Sequence, residues 1–379
     1  MHMRRVAIYT FLWVMIFLLL MGGKFAQTEY GEQDDGSAVA PQVMREPYAM
    51  FGIDIEDIAD DRIDEELDAA ASTGAAWIRI YAMWKFIEPE PPHEAFRNGQ
   101  WGTFTGRHRY NWSHVDRIVD AARDRGLNVY LTNMLPPPWA NGADPNCNAF
   151  IGEDLSCGNV IYDPHWYTDF VYNEAAHFKG RVRYYGVWNE PNDGHFFNGP
   201  RDGTYLNVFM ATYVLGAREA LRAADPEAKL VGPELSMGTG IPNSNADWAD
   251  GWLEPMLKYF GRVFDVVSIH NHSNSHENAK RNAERARRII ERYAPGTEFW
   301  MTEFGADTCA LTQTKQAEQL FGVYIDTINR PWWTKTFYYA LTDHDPAKSC
   351  GAGLFTGADN GFTPRPAYWE YRRITGYDQ

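Results

Sequence analysis

From about residue 48 onward, short apolar runs alternate with amphipathic helical stretches in eight successive units. Strands separated by helices run parallel, because each crossover helix returns the chain to the same end of the sheet. The strand candidates are Met50–Ile55, Ala76–Tyr81, Asn128–Asn133, Tyr184–Trp188, Lys229–Pro233, Phe264–His270, Glu298–Thr302 and Lys335–Leu341. Eight such strands can close on themselves, so the expected fold class is α/β, a single (β/α)8 TIM barrel. The rival, an open doubly wound sheet, lacks its phosphate-binding signature: no Gly-x-Gly-x-x-Gly follows the first strand.

The stretches between the strands support the count. Ser113-His-Val-Asp116 has the capping-box pattern, Val115, Ile118, Val119 and Ala122 share one face of the helix it opens, and Gly126 ends that helix. Tyr205 to Ala224 reads as a second long helix, closed by Asp225-Pro226. Ala279, Ala283, Ala286 and Ile290 line one side of a third, whose other side carries Arg and Glu.

Ahead of the barrel, residues 1–26 begin Met-His-Met-Arg-Arg and continue without charge from Val6 to Met21. That order is a cleaved secretory signal peptide or an uncleaved membrane anchor, and either places the remainder in a secreted or cell-envelope setting. Residues 27–46, rich in Gln, Asp, Gly and Ser, form a linker, which leaves 47–379 as the folded barrel. Four cysteines fit an oxidising compartment, and their positions suggest the disulfides Cys147–Cys157 and Cys309–Cys350. With no Cys-x-x-Cys spacing, a structural zinc site is not expected. A net charge of −15 argues against nucleic acid as a partner, since phosphate binding needs a basic surface.

Two of the strands end on glutamates. Arg183-Tyr-Tyr-Gly-Val-Trp-Asn-Glu190-Pro191 stops abruptly at a proline, and Glu298-Phe-Trp-Met-Thr-Glu303 ends in the same way. The carboxyl ends of barrel strands are where such folds keep their chemistry. With the later Pro364-Arg-Pro-Ala-Tyr368, the Trp188-Asn189-Glu190-Pro191 and Thr302-Glu303 motifs resemble the retaining glycoside hydrolases of clan A, nearest to families 39 and 5.

The resemblance implies a glycosidase without cofactor or metal, with Glu190 as general acid/base after the fourth strand and Glu303 as nucleophile after the seventh. It further implies that Arg79, on the second strand, supports the nucleophile, and that Asn189 binds the sugar 2-hydroxyl. Neighbouring strand residues face opposite ways, so a twist or bulge must let Asn189 and Glu190 reach one site together. Related enzymes commonly carry a histidine followed two places later by a tyrosine that touches the nucleophile. Here the pair is His270 and His272, so orientation of Glu303 falls to His272 or to another tyrosine such as Tyr339.

Loops supply the remaining substrate-binding candidates. These are Glu88, Trp139 as a stacking platform for a sugar ring, His195, and the Trp332-Trp333 pair; Trp188 reads as packing. The expected partner is a carbohydrate, a neutral β-linked glycan, because an acidic protein repels anionic ones. Two alternatives stay open. His270-x-His272, with Asp343-His344-Asp345, could serve a metal-dependent barrel hydrolase; and an aromatic cleft without turnover would make a non-catalytic carbohydrate-binding barrel.

Overall fold

The structure, a computed structural model, describes residues 50–56, 58–92, 108–141, 160–194, 196–197, 204–237, 247–343, 345 and 349–377. The leader, the linker, His195, His344 and the Cys147–Cys157 pair lie outside the described residues.

Eight parallel strands close into a barrel in sequence order: β1 (Phe51–Glu56), β2 (Trp77–Met83), β3 (Asn128–Met134), β4 (Tyr184–Gly186), β5 (Lys229–Leu235), β6 (Val266–Asn271), β7 (Glu298–Gly305) and β8 (Trp333–Tyr339). Each expected strand is found, with ends shifted by a few residues. The largest difference is β4, expected to run to Trp188. Its ladder stops at Gly186, and Glu190, at φ 44°, has turned into backbone that no strand can contain.

The outer layer follows the expected helical faces. It includes α1 (Ile63–Ser72), α2 (Ser113–Asp124), α3 (Pro164–His177), α4 (Leu215–Ala224), α5 (Glu254–Phe260), α6 (His276–Tyr293), α7 (Gln313–Ile328) and α8 (Pro366–Thr375). On α6, Ala279, Ala283, Ala286 and Ile290 are all buried, at the helical spacing that lays one apolar stripe on the barrel. The expected capping box at Ser113 does not form. Trp112 occupies the N-cap, and Asn111 Oδ1 accepts from Ser113 N at 3.2 Å, because the short amide side chain two residues back reaches the free amide first. The expected long helix from Tyr205 comprises Tyr205–Phe209, a wide turn at Met210–Val214, and α4.

Inside the barrel, side chains stack in layers set by the two-residue period of the strands. Trp77, Tyr130, Val231, Val266, Trp300 and Phe337 plug the lower half. Two residues further along β2, β3 and β6 stand Arg79, Thr132 and Ser268, so the layer changes from apolar to polar toward the strands' carboxyl ends. Most register shifts lie at that end, between Asp54 and Glu56, Pro233 and Leu235, Ile269 and His270, and Met301 and Phe304, with one more at the start of β7 between Phe299 and Trp300. Such irregularities re-aim side chains. Cys309 and Cys350 are joined, tying the loops after β7 and β8 together as expected.

Candidate active site

Arg79 is the centre of the polar layer, fully buried on β2. A guanidinium has five N–H donors in a rigid fork, and here all five have acceptors. Nε donates to Thr132 Oγ1 at 3.0 Å; Nη1 donates to Glu303 Oε1 at 2.8 Å and to Asp54; Nη2 donates to Asn189 Oδ1 at 2.7 Å and Glu234 Oε2 at 2.6 Å. One cation therefore sits among three buried carboxyl groups from β1, β5 and β7. Room for this comes from Gly186, where a Cβ would lie 2.7 Å from Glu234 Oε1.

The three carboxyl groups respond differently to that crowding. Burial raises Asp54 and Glu234 above their ordinary pKa values, against the pull of Arg79. For Glu303 burial also pushes upward, but attraction to His270 and Arg79 and the His272 hydrogen bond outweigh it, lowering its pKa from 4.5 to about 2. Of the three, Glu303 is the one whose surroundings favour the ionised form.

Glu190 reaches the same place from the irregular turn after β4. Its N–H donates to Glu234 O at 3.2 Å, and Asn192 and Ser236 exchange hydrogen bonds at 2.8 and 2.9 Å, fastening this turn to the end of β5. His270 Nδ1 lies 3.0 Å from Glu190 Oε1 and 3.2 Å from Glu303 Oε1. One ligand-capable atom from each of Glu190, His270, His272 and Glu303 lies within 4.8 Å of every other. Asn189 and Glu190 do face one site, the positive φ at Glu190 supplying the twist that strand alternation required.

His272, just past β6, meets Glu303 Oε2 at 2.7 Å through Nε2. Burial disfavours its charged form, yet the Glu303 hydrogen bond and charge prevail and raise its pKa. Tyr339 packs edge-on against the His272 ring at 4.9 Å. Of the two candidates for orienting Glu303, His272 makes the contact and Tyr339 supports it from behind.

Several loop expectations are corrected. Trp139, half-buried, packs against Trp84 and Trp166, with Nε1 donating to Glu88 O at 2.9 Å, which fixes the ring beside the loop after β2. Glu88 is buried, accepting from Trp84 Nε1 at 2.8 Å and paired with His108 Nδ1 at 2.6 Å, and so braces the loop after β2. Trp333 opens β8, at the end of the barrel opposite the site, with Trp332 stacked beside it. Asp343 is taken by a buried bidentate pair with Arg365, which removes it from the alternative metal-binding group. Trp188 is core, packed on Tyr213 and Phe197.

Asp54, Glu234 and Thr132 were not anticipated. The signal was present in Gly52-Ile-Asp54-Ile-Glu56 and Gly232-Pro-Glu234-Leu, each an acidic residue at the carboxyl end of an otherwise apolar strand.

Residues 204–366, the second half of the barrel, match the family model described as the glycosyl hydrolase catalytic core. In sequence, the chain is similar to endo-1,4-beta-xylanase A of Phanerodontia chrysosporium, 32% identical over 129 residues, covering 32% of this chain and 27% of that protein. The match therefore spans only about a quarter of that relative. A longer likeness is to endo-1,4-beta-xylanase B of Thermotoga neapolitana, 21% identical over 285 residues, covering 71% of this chain and 75% of the relative. Among solved structures, a family 39 β-xylosidase from Caulobacter crescentus shares the fold with a TM-score of 0.61, at 18% identity over 89% of this chain and 72% of that one.

Proposed function

We propose that this protein is an exported retaining glycoside hydrolase that cuts a neutral β-linked oligo- or polysaccharide, with xylosides and xylan as the first substrate class. The carrying observation is the approach of Glu190 and Glu303, whose oxygens belong to one cluster within 4.8 Å. Double displacement needs carboxyl groups about 5–5.5 Å apart, whereas inversion needs about 6.5–9.5 Å to admit a water. The xylose preference rests on the xylanases and the β-xylosidase to which the chain is similar.

In this mechanism the Glu303 carboxylate attacks the anomeric carbon while Glu190 gives its proton to the departing glycosidic oxygen. Glu190 then takes a proton from water, and the resulting hydroxide displaces Glu303 from the anomeric carbon. Arg79 and His272 hold Glu303 ionised and aimed. Asn189, fixed by Arg79, presents its amide nitrogen to the sugar 2-hydroxyl, a contact that strengthens as the transition state forms.

Hydrolysis of aryl β-glycosides and of xylan by wild type and by Glu303→Ala tests the assignment. Turnover by the wild type that falls by several orders of magnitude in the variant supports it. Sugar binding without turnover in the wild type would instead mean a carbohydrate-binding barrel. A metal-dependent hydrolase has His270 and His272 in its favour; activity that survives exhaustive chelation rejects it.

A further inference from the structure

Besides aiming Glu303, His272 brings a second imidazole, with His270, to the two carboxyl groups. Its place has been made deliberately open: a Cβ on Gly305 would lie 2.5 Å from His272 Nδ1, so a larger residue at 305 would evict the ring. Two ring nitrogens and two carboxylates then converge, with His272 Nε2 at 2.7 Å from Glu303, and His270 Nδ1 at 3.0 Å from Glu190 and 3.2 Å from Glu303. Four atoms with lone pairs at such distances repel unless a proton or a metal cation lies between them.

The spacing suits a small cation. Zinc ligands at about 2.0–2.2 Å in a tetrahedron stand roughly 3.3–3.6 Å from one another. The contacts of 3.0 and 3.2 Å fall just inside that edge, the 2.7 Å contact would open by about 0.6 Å, and the widest pair in the cluster, within 4.8 Å, needs a closure of about 1 Å. Rotation of a terminal carboxylate provides this. Asp54 and Glu234 stand beside the cluster, each paired with Arg79, and the side chain of His272 is 27% exposed, which gives an ion a way in. Two imidazoles select borderline-soft ions such as zinc, nickel or copper(II) over magnesium or calcium.

We propose that Glu190, His270, His272 and Glu303 form a binding site for a zinc-class divalent ion, and that the bound ion shuts off glycoside cleavage by occupying both carboxyl groups. The proposal rests on the reading of Glu190 and Glu303 as the catalytic pair. The ion is an inhibitor here, bound in place of the sugar.

The test is calorimetric titration of chelator-treated full-length protein with zinc chloride and, separately, magnesium chloride, alongside turnover of an aryl β-glycoside. Expected are one zinc per chain, no magnesium binding, and inhibition that is competitive with substrate and reversed by chelator. His272→Phe should weaken zinc by at least about tenfold, and Glu190→Gln, which keeps the side chain's shape, should do the same; thermal unfolding of both checks that they fold. Absence of zinc binding, or binding unchanged in both variants, would overturn the proposal while chelated enzyme that still turns over leaves the glycosidase reading intact. Zinc that binds at these residues and raises the activity of chelated protein would overturn both.

Discussion

Replacing Glu174 by glutamine should reverse part of the protein's sensitivity to alkali. Glu174 lies on α3, fully buried, and accepts from Asn133 Nδ2 at 2.6 Å, next along β3 from the Thr132 that anchors Arg79; its Oε1 has no partner among the described residues. Burial raises its pKa from 4.5 to about 8, the Asn133 bond opposing only in part. At about 1.4 kcal/mol per tenfold change in proton affinity, that difference corresponds to about 5 kcal/mol. The folded chain keeps a proton that the unfolded chain releases. Stability from this group is thus complete below 4.5, declines as pH rises, and is lost above about 8. Glutamine retains the acceptor for Asn133 and has no charge to bury. Guanidinium unfolding of both chains from about pH 5 to about pH 8.5 isolates the effect as a difference, since all other titrating groups are shared. Wild type should lose several kcal/mol relative to Glu174→Gln across that range, and the variant should be the more stable chain at the alkaline end. Parallel pH curves would refute the reasoning.

Arg79→Lys should fail as a conservative change, because three ammonium donors cannot serve five acceptors; kcat/KM should fall by about a hundredfold or more, with a loss of roughly 3 kcal/mol in unfolding free energy. Steady-state kinetics and denaturant titration check both parts. Opening the Cys309–Cys350 link, which closes a sequence separation of 41, should cost about 2–4 kcal/mol in a Cys309→Ser, Cys350→Ser chain, read from the same titration.

The barrel was legible because its determinants are local. Alternating apolar runs and helical stripes record period and burial residue by residue, and eight strands leave few ways to arrange them. The meeting of Glu190, Glu303, Arg79 and Asn189 could be expected because each stands in a recognisable motif, Arg79 within β2 and the others toward the carboxyl ends of their strands. The hidden part lies in contacts made across the barrel. Asp54 and Glu234 matter through one guanidinium, that of Arg79, from which they stand 25 and 155 residues away in sequence, and no local pattern records such a meeting. Trp333 misled for a related reason. A cleft platform and a packing residue have the same side chain, and only its place at the first residue of β8 decides between them. The extent of β4 was overestimated because Val187 and Trp188 have strand chemistry, while the turn that ends the strand is dictated by the positive φ of Glu190.

The central claim is that Glu190 and Glu303 work on the same anomeric carbon in two successive displacements. Proton NMR of an aryl β-xyloside, or of the best substrate in a glycan panel, during wild-type hydrolysis reads the configuration of the first sugar released. The account predicts the β-anomer first, followed by slow mutarotation; an α-anomer formed first would contradict it.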